Sequence, residues 1–143
     1  MSKVGLINFV IGFGVMFFAA ASGGFVAFDL TEGFLKDNAL LDTWQMTLLQ
    51  SSHGHTNLFA MIHIMFGLTL PYSKTSNRIK SIQTVGLSLG TFAMGPGMML
   101  RAYMGPSETL DLTGILVGTG LSFALLTLLS HFLMLSFRLV RSP

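Results

Sequence analysis

The sequence predicts an all-α membrane protein: one domain, residues 1–143, folded as a bundle of four transmembrane helices with both termini cytoplasmic. Three observations predict it. Only 10% of the residues are charged and 51% are hydrophobic, whereas a soluble domain carries about 25% charged residues. The charges leave four apolar stretches, each longer than the roughly 20 residues that cross a ~30 Å hydrocarbon layer as a helix. The charges also sort by sign between the two sides, basic inside and acidic outside.

The first stretch, about 4–28, follows Lys3 and reads as a retained helix; its apolar run is too long for a typical signal-peptide core. A loop with Asp29, Glu32, Lys36, Asp37 and Asp42 is expected next. The second helix, about 43–70, carries three of the four histidines. Lys74, Arg78 and Lys80 mark a cytoplasmic turn. The third helix, about 81–103, contains Gly95-Pro96-Gly97, where proline removes a donor and predicts a kink. That kink is either a packing feature or room for a ligand beside the helix. Glu108 and Asp111 mark the second outer loop, and the fourth helix, about 112–137, leads to Arg138 and Arg141. Six of the eight Lys and Arg thereby fall inside and all six acids outside. In lipid each stretch must be helical, because only a helix satisfies its own backbone groups. The short likeness of 28–33 (Phe-Asp-Leu-Thr-Glu-Gly) to 110–114 (Leu-Asp-Leu-Thr-Gly) is a weak internal echo of two hairpins.

Sixteen glycines include Gly86 with Gly90 and Gly114 with Gly118 at the spacing that lets membrane helices approach closely. Gly12, Gly14, Gly23 and Gly24 lie on the first helix. Trp44, Tyr72 and Tyr103 fall where an interfacial aromatic belt is expected. The ten methionines, among them Met61, Met65, Met94, Met98, Met99 and Met104, read chiefly as gap-fillers, although a thioether can ligate haem iron or Cu(I).

Composition excludes several classes. A net charge of +2 comes from too few cations to track a nucleic-acid backbone, so no nucleic-acid partner is expected. No cysteine is present, which removes disulfides, zinc–thiolate sites, iron–sulfur clusters and covalent haem attachment. No nucleophile motif, phosphate loop or intramembrane carboxylate pair is visible, and no complete active site is expected on this chain alone.

All four histidines fall within the apolar stretches, where ionisable groups are costly and point to function. Measured from the middle of its helix, His53 lies roughly 6 Å and His55 about 3 Å to the outer side, and His63 about 9 Å to the inner side. His131 on the fourth helix lies about 10 Å to the inner side. His63 and His131 thus match in depth, as two axial ligands of a planar b-type haem would. Gln50, His53 and Asn57 share one helix face in the outer half. His55 points about 160° away from His53, so the two are not expected to grip one ion. Arg101, near the outer end of the third helix, has three candidate partners: a haem propionate, an acidic loop residue or lipid headgroups. Structural hydrogen bonding between helices is the competing role for each histidine.

The segment Ser52-His53-Gly54-His55-Thr56-Asn57-Leu58-Phe59-Ala60, followed by Ile64-Met65-Phe66-Gly67-Leu68, resembles the His-x-His-x-x-Leu-Phe-Gly helix of the haem–copper oxidase subunit I superfamily. The likeness is closest to its nitric-oxide-response membrane protein and cytochrome-c-oxidising branches. The resemblance implies haem b ligation near the outer side by His53 or His55. It covers about 16 of the 143 residues, and Ala60 stands in place of the family's glycine. With four helices where the family has about a dozen, a complete oxygen- or nitric-oxide-reducing centre is not expected.

Three functions fit these readings. The first is a small b-type haem protein of the cytoplasmic (inner) membrane for electron transfer or gas and redox sensing, working with quinone or a redox partner. Its candidate cofactor residues are His53, His55, His63, His131, Asn57 and Arg101. The second is a copper- or zinc-binding membrane protein using the same four histidines. The third is a structural or assembly subunit of a larger, respiratory-type membrane complex. A homo-oligomer is compatible with all three.

Overall fold

A computed structural model describes residues 2–37, 43–107, 109 and 111–141. The described chain is helical and contains no strand. Helix α1 spans Lys3–Asp37, α2 Thr43–Thr69, α3 Asn77–Phe92, α4 Met98–Met104 and α5 Leu112–Arg141. A five-residue π-helical segment, Ala93–Gly97, joins α3 to α4, so that α3, the π segment and α4 make one bent rod and the bundle has four rods.

Each rod departs from its expected bounds for a local reason. α1 does not stop near Phe28; it continues through the charged segment, where Thr31 donates to the Ala27 carbonyl at 2.7 Å and Lys36 pairs with Glu32 one turn back. Such pairs add a few tenths of a kcal/mol, about 0.3–0.5, to an exposed helix. α2 ends in a 3-10 turn, Leu70–Ser73, with Pro71 at its start. Lys74 follows in the left-handed conformation at φ 51° and reverses the chain. Ser76 then caps α3, its side chain accepting from the Ile79 N–H at 3.4 Å, which starts that helix four residues earlier than hydropathy suggests. α5 opens on Asp111, whose Oδ1 accepts from the Gly114 N–H at 2.6 Å and the Thr113 hydroxyl at 2.8 Å. Asp42, Glu108 and Leu110, and with them parts of the two outer loops and of the internal echo, lie outside the described residues.

The expected kink is a π-bulge. Pro96 has no N–H to give, and the Met98 N–H reaches back to the Ala93 carbonyl. Ser52 of α2 donates to the Gly95 carbonyl at 2.8 Å, and Thr56 fills the space a side chain at Gly95 would need, its Oγ1 2.7 Å from that position. An apolar cleft of about 240 Å³ remains between α1 and Pro96, smaller than the roughly 300–1,000 Å³ of ordinary ligand pockets.

α1 lies along α2 and α3 lies along α5, with α2 central, touching α3, the π segment and α4. Glycine sets the α3–α5 spacing. A Cβ on Gly90 would fall 2.3 Å from Ala124 Cβ, and one on Gly120 2.3 Å from Ala93 Cβ. Gly86 meets Thr127 in the same way, whereas Gly14, Gly24 and Gly118 face open space. The core holds Leu49, Phe59, Phe66, Leu70, Leu87 and Met94.

α1 over Lys3–Gly33 and α5 over Leu112–Arg141 are long and apolar enough to cross a membrane, with mean hydropathy 2.2 and 2.0. α2 concentrates polar residues between Gln50 and Asn57, and α3 is interrupted by the π segment.

Candidate functional site: the histidine centre

The histidines divide by what holds their ring nitrogens. His63 is fully buried and both nitrogens are engaged. Asn8 of α1 donates its amide N–H groups to the Val4 carbonyl at 3.0 Å and the Thr84 hydroxyl at 2.8 Å. Its Oδ1 is therefore the acceptor that faces His63 Nδ1 at 2.9 Å, which puts a proton on Nδ1. His63 Nε2 lies 3.1 Å from the Thr91 hydroxyl. Thr84 donates to the Lys80 carbonyl at 3.0 Å, and the single Thr91 hydroxyl proton is shared between His63 Nε2 and the Leu87 carbonyl at 2.9 Å. One continuous polar network thus ties α1, α2 and α3 together through the middle of the bundle.

His131 of α5 is buried and belongs to a different contact. Its Nε2 meets the Thr69 hydroxyl at 2.9 Å, and its ring packs on Phe66 with centroids 4.3 Å apart. His131 therefore meets α2 three to six residues beyond His63, a displacement of roughly 5–9 Å along the axis. The expected depth match of His63 and His131 does not hold. Each Nε2 is taken by a threonine, and the two imidazoles do not face a common space.

His53 lies against α1, where a Cβ on Gly23 would fall 2.3 Å from its Cε1. Asn57 donates to His53 Nε2 and to the His53 carbonyl, both at 3.2 Å. Nδ1 is buried without a hydrogen bond. Gln50 is exposed and does not join this pair. His55 differs from the other three. Its Nδ1 donates to the Ser51 carbonyl at 2.7 Å, with Ser51 Oγ at 3.3 Å. No described residue hydrogen-bonds its Nε2. The ring is half-buried beside Gly54, whose outer side is open.

Arg101 is held by protein groups. Its guanidinium stacks over Trp44 of α2 at 5.6 Å and stands 3.6 Å from Asp111, the acidic-loop option among its expected partners. The Asp111 carboxyl is held below the usual carboxylate range, first by the Gly114 N–H, then by the Thr113 hydroxyl, and less by Arg101. Among the methionines, Met94 and Met98 fill the core while Met61, Met65 and Met104 are exposed. Among the described residues no three His, Asp or Glu side chains converge as a metal site.

Sequence reasoning passed over Asn8, Thr84 and Thr91. The available signal was a lone asparagine early in an otherwise apolar helix. Compared with protein-family models, curated proteins and solved structures, the chain matches none.

Proposed function

We propose that the chain crosses the cytoplasmic membrane four times, with both termini inside, and serves as a subunit that offers one axial imidazole, His55, to a b-type haem completed by a second chain. The single observation that carries the haem reading is the state of His55. Its Nδ1–H is held by a backbone carbonyl, the arrangement that fixes tautomer and ring orientation in ligating histidines and leaves Nε2 to the metal. In lipid no water would satisfy that Nε2, and His55 sits near the middle of α2.

Two features support four crossings. The outward side chains of the less hydropathic rods are apolar: Leu58, Met61, Met65 and Leu68 on α2, and Ile79, Ile82, Val85, Leu89 and Phe92 on α3, are 38–62% exposed. The polar residues of their middle turns are largely inward, with Ser52, Thr56, His63, Gln83, Thr84 and Thr91 all buried, while Thr47, Gln50, Asn77, Arg78 and Ser81 nearer the rod ends are exposed. That is the reverse of a soluble bundle. α3, the π segment and α4 together supply 28 helical residues, Asn77–Met104.

Because one chain presents one such imidazole, the haem would lie between subunits, against a second copy or a larger partner. The protein then supplies the ligand and a dry apolar wall, and the iron supplies redox or gas-binding chemistry. Purified from cells with ample haem, the chain should show Soret and α bands in a reduced-minus-oxidised spectrum. His55→Ala should lose them, while His53→Ala, His63→Ala and His131→Ala should keep them in protein that remains helical. Unchanged haem in His55→Ala, or a colourless well-folded protein, overturns the reading.

A second reading has its own observation. His53, His63 and His131 all hydrogen-bond to side chains of this chain, as they would in a structural or assembly subunit. Colourless protein that co-purifies stoichiometrically with a larger membrane complex would favour it.

A further inference from the structure

We infer that the cytoplasmic end of the bundle carries a binding site for a phosphate-ester oxyanion, the headgroup of an anionic phospholipid. The inference rests on the proposed membrane crossing and is independent of haem.

An open cavity of about 550 Å³ lies between the turn after α2 and the end of α5. Lys74, Arg138 and Arg141 bring three cations to its wall, and Ser73 and Thr75 bring hydroxyls. Met134 and Phe137 form an apolar side that continues into the outward face of α5. Cations above an apolar wall match a phosphate with its acyl chains alongside.

Two elements of the wall are held in place. Arg138 donates to the Tyr72 carbonyl and lies over the Tyr72 ring at 5.9 Å. Lys74 is the only described non-glycine residue at positive φ, a conformation strained for a residue that carries a Cβ. That turn brings Lys74 and Thr75 to the end of α5. Ser73 is buried, donates to the Leu70 carbonyl at 2.8 Å and lies 3.1 Å from the Thr75 hydroxyl.

Among the described residues these cations have no carboxylate partner. The ion pairs among the described residues, Lys36–Glu32 and Arg101–Asp111, are both at the opposite end. None of the six acids lies between residues 43 and 107 or beyond 111. General positive-inside bias accounts for cations at this end, but not for the convergence of Lys74, Arg138 and Arg141 on one concave wall. A phosphate can accept from several such donors at once, and charge-assisted bonds of this kind are the stronger ones.

The test uses the full chain in neutral phosphatidylcholine nanodiscs, titrated with phosphatidylglycerol or with inorganic phosphate and read by native mass spectrometry and thermal midpoint. Phosphatidylglycerol should be retained in preference to phosphatidylcholine. In Lys74→Gln/Arg141→Gln its affinity should fall about 30-fold, roughly fivefold for each cation removed from an anionic surface. Arg138 stays in that variant because it also holds Tyr72. Arg78→Gln removes a cation from the same end but outside the cavity and should leave affinity unchanged. Saturation by millimolar inorganic phosphate with no added lipid preference would assign the site to free phosphate and overturn the lipid assignment. An equal loss in Arg78→Gln, or no loss in the double variant, overturns the site itself. Carbonate extraction of native membranes tests the crossing separately: a chain released as soluble protein defeats the membrane reading whatever the lipid titration shows.

Discussion

Replacing Asn8 by leucine tests whether the central polar network holds the bundle together. The residue is fully buried and joins α1 to two other rods, through Thr84 at 2.8 Å and His63 Nδ1 at 2.9 Å. Leucine keeps the same branched skeleton of four side-chain heavy atoms, but its methyl groups are bulkier, so crowding adds to the cost of the lost hydrogen bonds. Interhelical hydrogen bonds in membrane proteins average about 0.6 kcal/mol each, and an orphaned buried donor adds about 1–3 kcal/mol. Thr84 keeps its bond to the Lys80 carbonyl, so the orphan is His63 Nδ1–H alone, and Asn8→Leu should cost roughly 2–4 kcal/mol. His63→Leu should cost a similar amount, because it leaves Asn8 Oδ1 without a donor while Thr91 retains the Leu87 carbonyl. The double variant orphans neither partner and should be less damaged than the sum of the singles by about 1–2 kcal/mol. The assay is reversible unfolding in mixed micelles for all four corners of the cycle. Additivity within about 0.5 kcal/mol would refute the network as a coupled unit.

Two further predictions concern the α3–α5 contact and the start of α5. Gly90→Ala places a Cβ 2.3 Å from Ala124 Cβ and should cost about 1–3 kcal/mol, whereas Gly118→Ala, facing open space, should be neutral or stabilise by up to about 1 kcal/mol; equal effects in unfolding titrations would refute glycine-set spacing. The depressed Asp111 carboxyl contributes stability that is fully present above the unfolded carboxylate value of about 3.9 and is lost as pH falls through the lower folded value. Thermal midpoints of the native chain and Asp111→Asn should therefore differ most at neutral pH and converge under acid, and a gap that stays constant to pH ~2 contradicts the capping role.

Much of the architecture was legible because hydropathy and charge are local quantities. Four rods, their order and the bend at Pro96 follow from runs of apolar residues and one missing N–H. What was not legible depends on neighbours in space. The length of α1 was missed because a run of charges reads as loop, whereas Lys36 and Glu32 at four-residue spacing support continued helix. Gly86 and Gly90 announce their close contacts by four-residue glycine spacing, whereas Gly120 pairs at that spacing only with Ala124, a weaker signal for its close approach to Ala93. The depth match of His63 and His131 failed for a related reason. Depth counted along each helix assumes that both start at the same level, yet α2 and α5 are offset, and His131 lands on Phe66 and Thr69. The Asn8–His63 bond spans 55 positions in the chain, and no periodicity within one helix encodes it.

The resemblance on α2 pointed equally to His53 and His55, and helix geometry separates them. The residues are two apart, so their side chains leave the helix about 160° apart. One ring is turned onto α1 at Gly23 and the other away from it. A histidine turned into a neighbouring helix is best satisfied there; His53 finds a partner for Nε2 only on its own helix, in Asn57, and none for Nδ1. A histidine turned outward can use its own helix. The Ser51 carbonyl takes the backbone N–H of residue 55 on one lone pair and has a second for the ring Nδ1–H. That bond, 2.7 Å long, lies on the helix side of the imidazole and directs Nε2 away from it. An outward-facing ring is thus oriented by a single turn of helix, with no help from the rest of the bundle. His63 spends both nitrogens, and His131 its Nε2, on other helices. In this bundle the imidazole whose Nε2 meets no described hydrogen-bonding group is also the one whose orientation is set within its own helix.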